Sequence, residues 1–162
     1  ADTSESARIQ PDTAPIRIPR FFDYKIKKEK DRLFIFDIIR KRYIALTPEE
    51  WVRQHFVSYL ISYKGYPLGL IGNEISLRLN GQNRRCDTVI YDIYGSPLMI
   101  IEYKAPHITL NQEVFDQVIR YNIALKVKYL VVSNGINHYC CVMDYDDMCP
   151  HFLKEIPDYN EL

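Results

Sequence analysis

The sequence predicts an α/β or α+β fold in which helices flank a mixed central sheet. Three observations support it: a capped helix start at Thr47-Pro48, a series of short strands from Leu68 to Lys104, and a second helical stretch followed by apolar strands. The predicted element order is αβββαββ. Short turns join the first three strands, which implies an antiparallel meander, and the second helix then crosses over to a further strand.

The first helix has start and stop signals in the sequence. Thr47 can cap it, Pro48 suits its first position, and Glu50 stands where a capping box places its acid. Gly65 and Pro67 are stop signals, so the helix is predicted to end near position 64. Apolar residues recur at helical spacing along it: Trp51, Val52, Phe56, Val57 and Leu60.

The other elements are bounded by turn residues and charged segments. Strands are predicted at 33–39, 68–80, 84–92, 98–104, 128–133 and 139–143, and the second helix at 111–126. The segment 21–32 could form a short strand or a turn. The chain after Asp144 is predicted to be irregular.

The length of 162 residues predicts a single domain that can bury a core. We expect a flexible, proline-containing arm over 1–19, the domain over 20–150 and a tail over 151–162. The 21 basic and 21 acidic residues balance, so any affinity for nucleic acid must come from a local basic patch. Arg40-Lys41-Arg42 is the strongest such cluster, and a solvated sheet edge is the alternative interpretation.

Cysteine usage favours a reducing compartment. Cys86, Cys140, Cys141 and Cys149 form no CxxC pair, which suits neither a zinc site nor a disulfide framework. Buried, reduced thiols of a cytoplasmic protein are therefore predicted. The sequence carries no apolar signal region, and no apolar run approaches the ~20 residues that a membrane-spanning helix needs.

Two predicted strands carry charged groups among apolar residues. Asp87 lies on one of them, and Glu102 and Lys104 lie two residues apart on the next, so that both project from one face. One turn joins the strands, so Asp87 and Glu102 can lie side by side. Charges at the end of an apolar strand are costly to bury and call for an explanation.

These residues suit a magnesium-dependent phosphodiesterase. Mg²⁺ prefers hard oxygen ligands, which Asp87, Glu102 and the backbone carbonyl of Tyr103 could supply. Lys104 could hold or activate the attacking water, or offset charge in the transition state. The alternative is structural: Lys104 could form a cross-strand salt bridge with either carboxylate on a solvated sheet face.

The pattern Asp87 … Glu102-Tyr103-Lys104 resembles the PD-(D/E)xK nuclease motif, with Cys86 where the motif name has proline. The resemblance implies a restriction-endonuclease-like core and a metal site formed by Asp87, Glu102 and Tyr103. It also implies that Glu50 is the additional helical acid that completes this site in several branches of the superfamily.

A second motif resembles the Gln-x-x-x-Tyr element of RecB-like nucleases. Gln117 and Tyr121 are one helical turn apart and share a face. In the family this pair lies beside the active site and helps to place DNA. Arg84 and Arg85 could also meet DNA phosphates, and a solvated strand end is the alternative for both.

Five motifs in order resemble the N-terminal nuclease domain of type I restriction enzyme R subunits (the HsdR N-terminal domain family). They are Thr47–Gln54, Arg84–Asp87, Ile101–Pro106, Gln117–Asn122 and Ser133–Gly135. Each motif is weak alone, but five at suitable spacing are specific. The likeness extends over roughly 18–143. It implies a DNA endonuclease that uses Mg²⁺ or Mn²⁺ and that could associate with other restriction-modification subunits.

One departure from that family concerns the helicase motor. The chain has no Gly-x-x-x-x-Gly-Lys-Ser/Thr loop, so no P-loop ATPase accompanies the nuclease-like region. The chain is then an excised domain or a small stand-alone relative. Two other functions stay open: a non-catalytic nucleic-acid-binding or assembly module that keeps the nuclease fold, and a structural domain with a salt-bridged sheet face.

Overall fold

The computed structural model describes residues 15–19, 23–146 and 149–162. Over these ranges the chain forms nine strands, two α-helices and two short 3-10 helices. The strands are β1 (Ile26–Glu29), β2 (Arg32–Asp37), β3 (Arg42–Ala45), β4 (Ile71–Leu79), β5 (Gln82–Tyr91), β6 (Pro97–Tyr103), β7 (Tyr129–Ser133), β8 (His138–Asp144) and β9 (Cys149–Leu153). The α-helices are α1 (Pro48–Lys64) and α2 (Gln112–Ile123), and the 3-10 helices are Leu68–Leu70 and Tyr159–Glu161.

The central sheet has six strands in the order β4-β5-β6-β7-β8-β9. All neighbours are antiparallel except β6 and β7, which are parallel and are joined by the crossover through α2. This arrangement confirms the predicted mixed sheet and the order αβββαββ. A separate antiparallel sheet, β1-β2-β3, precedes that core. Strand β3 was not predicted, because its basic first residue, Arg42, belongs to a charged cluster that was interpreted as the end of the preceding strand.

Helix α1 begins and ends where its signals place it. The Thr47 hydroxyl oxygen accepts a hydrogen bond from the Glu50 amide at 3.1 Å, and Gly65 ends the helix with a left-handed φ of 69°. Phe56 is fully buried in the core. Trp51, which the sequence places on the apolar stripe, is 39% exposed, and its ring packs against that of Tyr24 with centroids 4.5 Å apart.

The predicted tail is part of the fold. Residues 149–153 form β9, which pairs with β8, and Ile156 is fully buried. The expectation of an irregular chain after Asp144 is therefore wrong: Phe152 and Leu153 extend the apolar surface beyond the acidic turn, packing on opposite faces of the sheet.

The arm predicted over 1–19 lies largely outside the described residues, as do positions 20–22 and 147–148. Within the described part, Ile16 is buried and its amide donates to the His138 carbonyl at 2.8 Å. This end of the predicted arm is thus attached to the edge of the fold near β8.

Apolar layers cover both faces of the central sheet. One contains the buried side of α1, and the other contains the buried side of α2. Met99, Ile100 and Ile101 on β6 are consequently all buried.

Cys86, Cys140 and Cys141 are free and buried, and burial raises the pKa of the Cys86 thiol to about 12. Among the described helices, none is long and apolar enough to cross a membrane.

The packing of α1 predicts that Phe56→Ala lowers the free energy of unfolding by about 3–5 kcal/mol, because it leaves a cavity under a fully buried ring. Tyr63→Ala is the control on the same helix, since Tyr63 is 57% exposed, and it should cost under about 1 kcal/mol. Urea unfolding followed by circular dichroism measures both. Equal midpoints for the two variants would contradict this assignment of the core.

Candidate active site

The candidate site lies where strands β5 and β6 separate. Their ladder runs as far as the pair Thr88 and Ile101, beyond which β5 pairs only with β4 and β6 only with β7. Asp87 and Glu102 are the next residues on the two separating strands. An Asp87 carboxylate oxygen accepts from the Tyr103 amide at 2.9 Å, so a side chain replaces the missing ladder bond. The structure thus brings together the acid pair that the sequence singled out.

Burial and a neighbouring acid act on Glu102. Burial raises its pKa to about 9, and a hydrogen bond with Asp87 and the charge of Asp87 add to that effect. The Lys104 charge and a hydrogen bond with Asn122 act in the opposite direction. The surroundings of Glu102 therefore favour the protonated form of its carboxyl. Two carboxylates this close require a proton or a cation between them.

Lys104 follows directly after β6. Its amide donates to the Ser133 carbonyl at 2.8 Å, which continues the alignment of the chain with β7. Its ammonium is near enough to Glu102 to favour that residue's charged form. Tyr103 and Ala105, between and beyond these two positions, are buried, so the predicted alternation of side chains is confirmed.

A buried hydrogen-bond chain lies behind the acid pair. The Tyr103 hydroxyl donates to Thr88 Oγ1 at 3.0 Å, and that hydroxyl donates to Asn73 Oδ1 at 2.8 Å. Asn73 Nδ2 in turn donates to the Asp37 carboxylate at 3.0 Å. Burial opposes ionisation of Asp37, but hydrogen bonds from Arg40, Asn73 and the amide of Ile39 outweigh it and lower its pKa. The chain connects the small sheet to the strand that carries the site.

Arg53 on α1 is the centre of a buried ionic network. Its side chain is 6% exposed and pairs with Glu50, with Nε 3.2 Å from Oε2, and with Glu74. Its Nη1 also donates to the Asp87 carbonyl at 3.3 Å. Arg40 pairs with the other side of Glu50. Glu50, predicted as an additional metal ligand, therefore already binds two guanidinium groups, and its role as a ligand stays a prediction.

Glu74 has strained backbone at the position opposite Asp87. Its φ is +55°, and the β4–β5 ladder pairs the residues on either side of it but not Glu74 itself. Left-handed backbone costs a non-glycine residue of order 1–3 kcal/mol. Hydrogen bonds from Arg53 and Arg85 offset this cost and, against the effect of burial, lower the pKa of Glu74. The Glu74 side chain is 25% exposed beside the site.

The acids at the fork are ligands of the type that a magnesium ion prefers. Mg²⁺ typically takes one or two carboxylates and completes its shell with water and phosphate, and Asp87 and Glu102 are two such carboxylates. The amide of Tyr103 faces Asp87, and a strand residue directs its carbonyl to the same side as its amide. Within the described ranges, no three histidine, cysteine or acidic side chains form a group that could hold a metal.

The predicted DNA-contacting residues lie on α2 and β5. The Arg84 guanidinium lies 5.1 Å from the centre of the Tyr121 ring, and its Nε donates to the Tyr121 carbonyl at 3.1 Å. Gln117 is exposed one turn earlier on the same helix. Arg85 is 68% exposed, and its Nη2 lies 2.7 Å from Glu74. The structure thus places Arg84 on Tyr121 and anchors Arg85 beside Asp87.

Asn122 was not singled out by sequence reasoning, although it directly follows Tyr121 in the Gln-x-x-x-Tyr motif. It is buried, its Nδ2 donates to the Val118 carbonyl at 2.9 Å, and its side chain also contacts the carboxyl of Glu102. The sequence signal that could have identified Asn122 is a polar residue on the apolar side of an amphipathic helix, next to a predicted site motif.

Glu102→Gln should stabilise the metal-free protein at neutral and alkaline pH. The pKa of Glu102 is higher in the folded protein than in the unfolded chain, where it is about 4.3. Its contribution to stability is therefore complete at acidic pH and is lost as the pH rises from about 4.3 towards 9, by at most about 1.4 kcal/mol per pH unit. Urea unfolding of both proteins between pH 5 and 9 measures the difference. A difference that does not grow with pH would contradict the burial of this acid.

Arg53→Met should lower the free energy of unfolding by about 3–5 kcal/mol, because it leaves Glu50 and Glu74 without their shared guanidinium. The double variant Arg53→Met/Glu50→Gln should recover part of this loss. Arg78→Met is the matched control, since Arg78 is exposed on β4. The same urea experiment measures all three, and a loss for Arg53→Met no larger than that of the control would contradict the network.

Comparisons with known proteins bear on the family. A family model described as the type I restriction enzyme R protein N terminus matches residues 48–157. A search of the curated proteins gives no match. A solved fragment assigned to an HsdR subunit of a type I restriction enzyme from Vibrio vulnificus YJ016 is 20% identical with a TM-score of 0.49, over 74% of this chain and 25% of that one. Since the family model matches more than half of the chain, this protein belongs to the family of type I restriction enzyme R protein N-terminal domains.

Proposed function

We propose that this domain is a magnesium-dependent endonuclease that hydrolyses phosphodiester bonds in DNA. The observation that carries the proposal is the adjacent pair Asp87 and Glu102 at the fork between β5 and β6, with Lys104 next along the chain. Membership of the restriction-enzyme family supports it. Association with other restriction-modification subunits belongs to the same proposal.

The residues of the site have separate parts in this reaction. Asp87 and Glu102, with the carbonyl of Tyr103, would hold Mg²⁺ or Mn²⁺, and Glu102 gives up its proton to do so. The bound ion supplies Lewis-acid polarisation of the phosphate and a more acidic water. Lys104 orients the attacking water and offsets the negative charge that develops on the phosphate. Arg53 donates a hydrogen bond to the backbone carbonyl of Asp87 and so helps to position that residue.

Side chains around the fork would bind the substrate. The exposed guanidinium of Arg85, fixed by Glu74, is set to contact a phosphate next to the scissile one. The Arg84 guanidinium packs on the Tyr121 ring, and Gln117 supplies an amide group on α2, the helix that carries Tyr121. These contacts recognise the DNA backbone, so they supply position rather than sequence preference.

Asp87→Ala and Lys104→Ala should each reduce magnesium-dependent nicking of supercoiled plasmid by about 100-fold or more, because each removes a group that acts on the metal or the water. Gel electrophoresis of the plasmid over time, with Mg²⁺ and with EDTA, measures the rates. Circular dichroism checks that the variants fold.

Glu155→Ala and Lys126→Ala serve as charge-matched controls, since both residues are exposed and outside the site. They should cleave at the rate of the parent protein. Undiminished cleavage by both site variants would contradict the proposal. DNA binding by the parent without cleavage in Mg²⁺ or Mn²⁺ would favour a non-catalytic binding module instead.

A further inference from the structure

The small sheet β1-β2-β3 has two chemically different faces. The strand register places Lys27 beside Phe34, and Phe36 beside Tyr43, while the amide of Phe36 donates to the Lys25 carbonyl at 2.9 Å. Side chains alternate along a strand, so one face carries the following set, termed here the cationic face: Lys25, Lys27, Arg32, Phe34, Phe36 and Tyr43. The opposite face of β2 carries Ile35 and Asp37, which are fully buried.

Aromatic rings support the cations of this face. The Lys27 ammonium lies 4.3 Å from the centre of the Tyr43 ring, and the Lys25 ammonium lies 5.5 Å from that of Phe36. The Arg32 guanidinium lies 5.7 Å from the centre of Phe34. Contacts of this kind restrict long side chains that would otherwise move freely in water. Three cationic side chains thus lie against aromatic rings on an exposed surface.

The cationic face lies in the most basic part of the described chain. Residues 23–45 contain eight basic and four acidic side chains, whereas the whole sequence is neutral. Arg40, which the sequence pointed to as part of a basic patch, is not available, because it pairs with Asp37 and Glu50. Glu29 is the acid on the same face, and it pairs with Lys27 at 3.5 Å. The accessible positive charge therefore lies on β1 and β2 rather than at Arg40-Lys41-Arg42 alone.

We propose that the cationic face binds the sugar-phosphate backbone of duplex DNA. The inference rests on the proposed function, since it adds a second contact surface for the same substrate. Spaced cations on an extended surface match a row of phosphates, and charge neutralisation supplies most of the affinity of such contacts. The rings support the cations, and contacts with the DNA backbone do not distinguish one base sequence from another.

The small sheet is attached to the cleavage site through ionic contacts. Asp37, at the end of β2, binds Arg40, and Arg40 binds Glu50. Glu50 pairs with Arg53, which donates to the Asp87 carbonyl. DNA held on the cationic face would therefore be linked to the strand that carries Asp87 through this series of contacts.

The test uses the Asp87→Ala protein, in which cleavage should be lost, and adds Lys25→Gln, Lys27→Gln and Arg32→Gln together. Fluorescence anisotropy with a labelled 30-base-pair duplex gives the binding constant at several salt concentrations. The slope of log K against log salt should become less steep by about 2–3, since each phosphate that the protein no longer neutralises changes the slope by about 0.9. Affinity near 100 mM salt should fall by about tenfold or more.

The matched control is Lys126→Gln/Lys128→Gln/Lys154→Gln in the same background. These three lysines are exposed, and Lys126 and Lys128 lie just before the start of β7, at the end of that strand away from Lys104. The control should keep the parental slope, and thermal unfolding should show that both triple variants are folded. Tyr43→Leu, which keeps every charge but removes one supporting ring, should weaken binding by a smaller factor.

Equal slopes for the two triple variants would overturn the proposal, and so would a loss of affinity restricted to single-stranded DNA or a parent without duplex affinity. Cleavage separates this inference from the proposed function. A cationic-face effect on binding, together with no cleavage by the native chain, would leave the DNA-binding face standing and the endonuclease proposal refuted.

Discussion

The arrangement of the site depends on one buried guanidinium. Arg53 lies between two acids, Glu50 on its own helix and Glu74 on β4, and donates to the backbone of Asp87. A buried ion pair is stable only when each charge keeps its partners, because the desolvation of an unpaired ion exceeds any packing gain. A single side chain therefore contacts the helix, the first strand of the central sheet and the acid of the site.

The arrangement at the fork between β5 and β6 is unfavourable in free energy, and contacts with the surrounding residues offset that cost. The ladder opens, a left-handed residue interrupts the neighbouring pair of strands, and two acids come together. None of these features improves folding. Each agrees with the proposed binding of a cation and a phosphate, since strain and like-charge contacts concentrate where ligands bind.

The elements that depend on local signals were predicted well, and those that depend on distant contacts were not. Thr47, Gly65 and the short turns define α1 and the meander from neighbouring residues alone. Strand β9 follows an acidic turn, and only its pairing with β8 makes it a strand. At the site, strand alternation and one turn bring Asp87 and Glu102 together. The partners of Glu50 could not be inferred, because the capping position of that residue gives no information about an arginine ten residues earlier in the chain.

The alternating charges have a consequence for how this family can diverge. Asp37, Arg40, Glu50, Arg53, Glu74 and Arg85 form one line of alternating sign, in which Glu50 and Glu74 each lie between two arginines. Replacing one member leaves a neighbour uncompensated, whereas replacing two adjacent members with apolar residues of similar volume does not. Related sequences should therefore change at these positions in pairs. In an alignment, these positions should show correlated substitutions although they lie far apart in the chain.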